Sequence, residues 1–452
     1  MTGRKNQIYQ NFAVRFCCLF AMLCILSETT AQEQYGRPFQ GVPDRRDASI
    51  YQVNMRVFSK EGNFRGVTAR LDSIRSLGFN VVYLMPIHPV GSIRSVNSPY
   101  CIRDYTAVNK EFGTLDDLRD LVDGAHEKGM AVILDWVANH TAYDHPWTQN
   151  KSWYLQDEAG NIVSPPGMGW HDVAQLNFNN QEMRAALISA MKFWVLEANI
   201  DGFRCDYTNG PPYDFWKQAL DTIRSIKSHR FLMLSEGSRS DHFKAGFDYN
   251  FGFRFFHHLK NIFEGKESAR AIDTLNTTEY VDAGPGQRVV RYTSNHDVNG
   301  SDGTPLELFG GEKGSLAAFV ITSYMKSIPM LYSGQEVGTP YRLTFPFTTT
   351  KIDWTLNPEL TAAYRKVIAF YNESTAIRRS EPVSYTTDDV CAFTKQHGKE
   401  HVLVIVNVRN RPIAYSLSRK IGGSWKNAIT GNSVKLGNSI VLEPYQYLVF
   451  TK

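Results

Sequence analysis

The sequence predicts an α/β protein in which eight parallel strands close into a barrel, with a smaller antiparallel β module after it. From about residue 50, short β-rich apolar runs alternate with amphipathic helical stretches, which is the pattern of βα units and a parallel sheet. The number of these runs is what a closed (β/α)8 barrel needs. Beyond a last helix near 359–377 the pattern changes to strands separated by Gly and Pro turns, which marks an antiparallel unit.

The elements follow in order. A strand over 50–57 precedes a helix with Val67, Leu71, Ile74 and Leu77 on one face, ended by Gly78. The second strand is 80–85. Thr114 is an N-cap for a helix carrying Leu115, Leu118, Leu121, Val122 and Ala125, which stops at Gly129. Residues 131–135 form the third strand. Residues 138–180 are too irregular and too long for an ordinary connection, with a Pro165-Pro166-Gly167 breaker, and read as an inserted subdomain. A helix over 181–198 leads to strand four at 201–206. Strand five is 231–236, strand six 247–250, strand seven 289–293 and strand eight 329–332, with a helix around 316–325 before the last. The runs at 402–407 and 447–450 belong to the terminal module. The resulting division is 1–31, a leader; 32–378, the barrel; and 379–452, the β module.

With 452 residues, 42% hydrophobic and 21% charged, the chain can bury a large core and is not disordered. The formal charge is +4, and Arg4, Lys5 and Arg15 against Glu28 supply about half of it within the leader. No basic stripe suggests nucleic acid. Residues 1–31 have a cationic start, an apolar stretch over 16–26 and small residues at Thr29 and Ala31, the pattern of a cleaved export signal. The apolar stretch falls short of the ~20 residues a membrane span needs. The mature chain is therefore expected to be soluble, secreted or periplasmic, without a membrane span. It keeps Cys101, Cys205 and Cys391, an odd number without metal-ligand spacing, so no disulfide framework is expected. Period-2 alternation turns Cys205 away from the face shared by Arg204 and Asp206, which makes it a structural thiol.

Asp206, Glu236 and Asp297 each follow an apolar β-rich run, in Gly-Phe-Arg-Cys-Asp, Leu-Met-Leu-Ser-Glu and Tyr-Thr-Ser-Asn-His-Asp. Acidic residues where buried strands turn into polar loops lie where barrel enzymes keep their chemistry. Two carboxylates suffice to cleave a glycosidic bond. A third suggests a transition state with positive charge, and a sugar oxocarbenium ion meets that description.

The strings Asp135-Trp-Val-Ala-Asn139-His140, Gly202-Phe-Arg204-Cys-Asp206, Glu236 after strand five and Asn295-His296-Asp297 resemble the α-amylase family of glycoside hydrolases in content and order. Ser98-Pro-Tyr100, Asp104-Tyr105, the run from Pro329 to Glu336 and Ile352-Asp353-Trp354 extend the resemblance from about residue 49 to the C-terminus. It implies a (β/α)8 TIM barrel with a short insertion after strand three and a C-terminal β-sandwich. It also implies that Asp206 is the nucleophile, Glu236 the general acid and base, and Asp297 the transition-state stabiliser, with retention of anomeric configuration. His140 and His296 would bind the sugar in the cleavage subsite, Tyr100 would stack on it, and Asp135 would support Arg204. Retention asks for carboxyls about 5 to 5.5 Å apart. Arg204, on the strand face of Asp206, is expected to lower that carboxyl's pKa, and burial to raise that of Glu236.

Two departures matter. Where many members of that family carry Leu-Pro-Asp-Leu-Asn, this chain has Val173-Ala-Gln175-Leu-Asn177, so a calcium ligand is replaced by an amide. Asn139 alone cannot build a six- to eight-ligand site. No cofactor is required by the sequence, and the metal assignment stays open. Asn209-Gly210 stands where α-amylases place Lys-His, which affects acceptor-side contacts. The triplets at Asn139, Asn150 and Asn276 fit the glycosylation pattern but are discounted. Trp136, Trp147, Trp153, Trp170, Tyr207 and Trp216 are candidates for sugar stacking or for packing.

The leading expectation is a retaining hydrolase of α-1,4-glucosidic bonds in starch-like or malto-oligosaccharides. The alternatives are a 4-α-glucanotransferase using the same intermediate and, from another class, a non-catalytic α-glucan-binding protein. A neopullulanase-like activity is less favoured, because little chain precedes the first strand. The partner expected is an α-glucan substrate, with oligomeric state open.

Overall fold

The computed structural model describes residues 34–452, so the leader read at 1–31 lies outside the described residues. Eight parallel strands close a barrel. In chain order they are β1 (Ile50–Val53), β2 (Val81–Leu84), β3 (Ala131–Val137), β6 (Gly202–Asp206), β7 (Leu232–Ser235), β8 (Tyr249–Phe251), β9 (Arg288–Tyr292) and β10 (Ile328–Tyr332). Around the barrel the order is β1, β10, β9, β8, β7, β6, β3, β2, and β2 closes on β1. The short strands β4 (His140–Ala142) and β5 (Val173–Gln175) pair antiparallel within the insertion after β3, giving the segment read as irregular a small sheet of its own.

The strands run apolar because both faces are covered, the inner by the barrel core and the outer by helices. Gly202 has φ 150°, and a Cβ there would lie 1.9 Å from the Leu232 carbonyl oxygen. Only glycine lets β6 and β7 approach this closely, and they carry Asp206 and Glu236.

Three expected elements end differently. The first strand stops at Val53, where Asn54 turns the chain into a helical turn, Met55–Phe58, and ties its amide to the Tyr332 hydroxyl at 2.9 Å. The helix behind β1 is two pieces, Phe64–Thr68, capped by the Asn63 side chain, and Leu71–Leu77, ended by Gly78 at φ 103°. The last long helix breaks at Ser374, whose hydroxyl accepts from the Ile377 N–H at 3.1 Å and starts a new turn over Thr375–Arg379. Thr114 caps its helix with a reciprocal box to Asp117.

The terminal module is a six-stranded antiparallel sheet facing a two-stranded one. Alternation explains why its central strand, Glu400–Asn407, is apolar on both sides. Val402, Val404 and Val406 join the barrel core, whereas Leu403 and Ile405 meet Trp425 and Leu442 between the two sheets. Lys395, fully buried at this junction, donates to the carbonyls of Tyr324 (3.3 Å), Met325 (3.2 Å) and Ile377. These carbonyls lie at the C-terminal ends of the helices Gly311–Tyr324 and Thr375–Arg379, where a cation is favoured. Burial lowers the Lys395 pKa to about 7. Among the described residues no helix is long and apolar enough to cross a membrane.

Candidate active site

A cleft of about 930 Å³ opens at the C-terminal ends of the barrel strands, and Asp206, Glu236 and Asp297 all line it. Asp206 is the last residue of β6, and Glu236 follows β7 directly. The Glu236 N–H donates to the Cys205 carbonyl at 2.9 Å and its carbonyl accepts from Thr208 at 3.0 Å, which locks the loops bearing the two acids together. Asp297 stands five residues beyond β9. The Asn295 side chain accepts from the N–H groups of Asp297 (2.9 Å) and Val298 (2.8 Å), a local turn that aims the third acid into the cleft.

Beneath the acids lies Arg204, fully buried. Its Nη1 donates to Asp135 Oδ1 at 2.7 Å and to Asp206 Oδ1 at 3.1 Å. Its Nη2 pairs with Glu236 Oε1, close as an ion pair but not aligned as a hydrogen bond. One guanidinium therefore spans both carboxylates. Burial works against its charge, but Asp135 and Glu236 outweigh it and keep Arg204 ionised. Glu236 Oε2 also accepts the Tyr207 N–H at 2.9 Å.

The expected lowering of Asp206 is reversed. Burial first, and then the neighbouring Glu236 charge, push its pKa well above the usual carboxylate range, with Arg204 pulling the other way. Glu236 is raised as well, by burial first and then Asp297, against Arg204 and the Tyr207 N–H. Two carboxyls out of bulk water on one guanidinium titrate as a pair and share a proton. The cleft wall raises Asp297 too, yet its side chain is 57% exposed, and that openness to water is the stronger constraint on it.

The remaining predicted residues gather here. Tyr100 and His296 stack with ring centroids 5.4 Å apart and a 19° interplanar angle. The Gln52 amide donates to His296 Nδ1 at 2.8 Å, which leaves the Nε2 hydrogen facing the Tyr100 hydroxyl at 2.7 Å. That hydroxyl in turn donates to Asp135 Oδ2 at 3.0 Å. His296 Nε2 lies 3.3 Å from Asp297. Burial lowers the pKa of both His140 and His296 to about 4, so both rings are neutral at ordinary pH. Asp135 does not line the cleft, being wholly buried and held by Arg204, Tyr100 and the Tyr83 hydroxyl at 2.6 Å.

Of the candidate stacking aromatics, Trp170 and Tyr207 line the cleft. Trp136 and Trp216 are fully buried, and Trp147 and Trp153 pack against the core. Gln52, Tyr83, Phe253 and Phe345 are site residues that sequence reasoning missed; the first two sit in unremarkable strand runs, Phe253 opens the helix Phe253–Phe263 and Phe345 lies in a loop, neither within a motif. The thiols of Cys101, Cys205 and Cys391 are free and buried, and burial raises the Cys205 pKa well above the thiol range.

The calcium position does not fit a cation as it stands. Gln175 Nε2 donates to the Asn139 carbonyl (2.9 Å), Asn139 Oδ1 (3.2 Å) and the Leu176 carbonyl (3.1 Å), and its Oε1 accepts from Asn139 Nδ2 at 3.0 Å. The oxygens that an ion would use already face amide hydrogens. Among the described residues no group of three or more His, Cys, Asp or Glu side chains could hold a metal.

The family profile described as "Alpha amylase, catalytic domain" matches residues 31–160. The chain is 26% identical over 410 residues to α-amylase 2 of Dictyoglomus thermophilum, covering 83% of this chain and 69% of that protein. It is 25% identical over 408 residues to α-amylase MalA of Haloarcula japonica, covering 86% of this chain but only 59% of that protein, so these relatives are substantially longer than the part matched. The fold is similar to that of a maltogenic α-amylase from Thermotoga neapolitana, with a TM-score of 0.82 at 24% identity over 91% of this chain and 99% of that one. The ordered strand-end motifs, the closed barrel with its insertion and these likenesses agree: the chain is similar, from its first strand to its last, to the α-amylase family of glycoside hydrolases, whose catalytic-domain profile matches residues 31–160.

Proposed function

We propose that the protein is a retaining hydrolase of α-1,4-glucosidic bonds in malto-oligosaccharides and starch-like glucans. The observation that carries this is the guanidinium of Arg204 in contact with both Asp206 and Glu236 at the floor of one cleft. Two acids bound to one cation sit close together, which favours a covalent glycosyl intermediate over a water inserted between them.

In the proposed reaction Asp206 attacks C1 from one face while Glu236 protonates the leaving oxygen from the other. The C1–oxygen bond breaks as the aspartyl ester forms. Glu236, now ionised, then takes a proton from water, whose oxygen attacks C1 and releases Asp206. Asp297, a negative charge beside the anomeric centre, stabilises the oxocarbenium-like transition states on both sides of the ester. His140, neutral, donates a hydrogen bond to a sugar hydroxyl, His296 shares its Nε2 hydrogen between the Tyr100 hydroxyl and the sugar, and Tyr100 covers the apolar face of the ring. Arg204 holds the two acids in register and, once sugar fills the cleft, favours the ionised form of whichever acid is not carrying the proton.

Transfer to a sugar hydroxyl in place of water is the second reading, favoured by apolar and aromatic groups along the cleft. We also propose export with removal of residues 1–31, which N-terminal sequencing of the mature protein would test. For the reaction, incubation with maltoheptaose followed by NMR should give short maltosides with the α configuration first, and none from Asp206→Asn. Products of β configuration would overturn double displacement, and wild-type inactivity on every α-glucan tried would move the assignment to a glucan-binding protein.

A further inference from the structure

Two phenylalanines at the cleft are not explained by the chemistry above. Phe253 is 37% exposed and Phe345 is 51% exposed, and both line the cleft that holds the acids. An exposed aromatic face inside a cleft that also holds three carboxyls is matched by an apolar ligand surface, and the CH-rich face of a glucosyl ring is one.

The barrel order assigns each ring to an end. Phe253 follows β8, next to β7, whose end carries Glu236, and on the other side of β7 is β6 with Tyr207 and Asn209. Phe345 follows β10, and Val96, 54% exposed, comes from the loop after β2; β10 and β2 flank β1, which lies opposite β7 across the closed barrel. The general acid delivers its proton to the leaving oxygen, so the departing sugar occupies the β6–β7–β8 sector and the retained sugars extend toward β10 and β2.

Both rings are braced. Gly252 fits tightly under the chain at Phe253, where a Cβ would meet the Val290 carbonyl at 2.9 Å, and the Phe253 ring packs on Phe251 at 5.1 Å. Phe345 packs edge-on against Phe347 at 5.9 Å, and Phe347 against His296 at 6.4 Å. Phe345 is thus the outer end of an aromatic series that begins at the Tyr100–His296 pair.

We propose that Phe253 is the platform for the leaving-group or acceptor glucosyl unit, that Phe345 is the platform for the glucosyl unit on the non-reducing side of the one cleaved, and that Phe253 thereby sets the partition between sugar and water as acceptor. Tyr207 and Trp170 line the same cleft, and their rings meet edge to face at 5.0 Å, so an acceptor ring on Phe253 has further aromatic surface in its sector. The inference rests on the retaining, glucan-cleaving reading.

The test compares α-maltosyl fluoride, whose leaving group is no sugar and needs no proton, with maltotetraose at fixed concentration, scoring transfer against hydrolysis products. Relative to its own rate on the fluoride, Phe253→Ala should lose about three- to tenfold in kcat/KM on maltotetraose and a similar factor in the transfer-to-hydrolysis ratio, the worth of one stacked ring. Phe253→Tyr should restore both. Phe345→Ala should raise KM for maltotetraose while leaving the transfer ratio within twofold of wild type. An unchanged ratio in Phe253→Ala, or the same change from both alanines, overturns the assignment. A wild type that turns over neither substrate overturns the underlying reading instead, so the two failures are distinguishable.

Discussion

Replacing Gln175 with alanine removes the amide that joins the insertion to the end of β3. The side chain is buried and engages three oxygens through two amide hydrogens and one donor through its Oε1. Counting the shared hydrogen once leaves about three net hydrogen bonds at ~1 kcal/mol each, and an orphaned Asn139 amide adds about one more, so the loss is about 4 kcal/mol. For a chain of this size, ~1 kcal/mol corresponds to roughly 1 °C in Tm, so a fall of about 4 °C is expected for cooperative unfolding. Calorimetry with and without calcium and a chelator is the assay. Wild-type Tm should be indifferent to both, because amide hydrogens already satisfy the oxygens. Gln175→Asp should become calcium-dependent, gaining about 2.7 kcal/mol at a concentration one hundred times Kd. A wild-type Tm that falls in chelator, or an alanine variant within about 0.5 kcal/mol of wild type, would refute the reasoning.

Other outcomes follow from the same geometry. Glu236→Gln should lower kcat on malto-oligosaccharides by about 10² to 10⁴, the usual worth of a general acid, with a much smaller loss on α-maltosyl fluoride; steady-state rates on both substrates check it. Gln52→Leu should cost less than about 1 kcal/mol in urea unfolding, since the buried Gln52 Oε1 is already without a partner, yet lower kcat/KM about tenfold by releasing His296. Burial raises the Glu336 pKa from 4.5 to about 7, so the folded protein holds that proton more tightly than the unfolded chain. This stabilisation is complete below about pH 4.5 and lost as pH rises through 7, a change on the order of 3 kcal/mol that Glu336→Gln should flatten in unfolding curves at pH 5 and 8.

The barrel was legible because its strands are apolar runs of the right length in the right number, and the acids because each terminates such a run. What stayed hidden is tertiary. Gln52 and Tyr83 occupy strands whose other residues are apolar, and nothing in Ile50–Val53 or Val81–Leu84 says that one polar side chain points inward to a histidine or an aspartate. The helix breaks near Ala69 and at Ser374 have no Gly or Pro to announce them. Arg204 two residues before Asp206 suggested a lowered carboxyl, but adjacency in sequence does not reveal how completely the pair is removed from water or that Glu236 shares the same cation. Gln175 was visible as a departure, but its three acceptors were not.

Lys395 ties the β module to the barrel through carbonyls on two different helices. Peeling the module away would leave those carbonyl ends without their donor and expose Val402, Val404 and Val406 to water, so the two parts have no cheap seam along which to separate. Proteolysis should accordingly release no intact barrel lacking its terminal sheets, and a truncation before residue 380 should yield insoluble chain instead of a smaller enzyme.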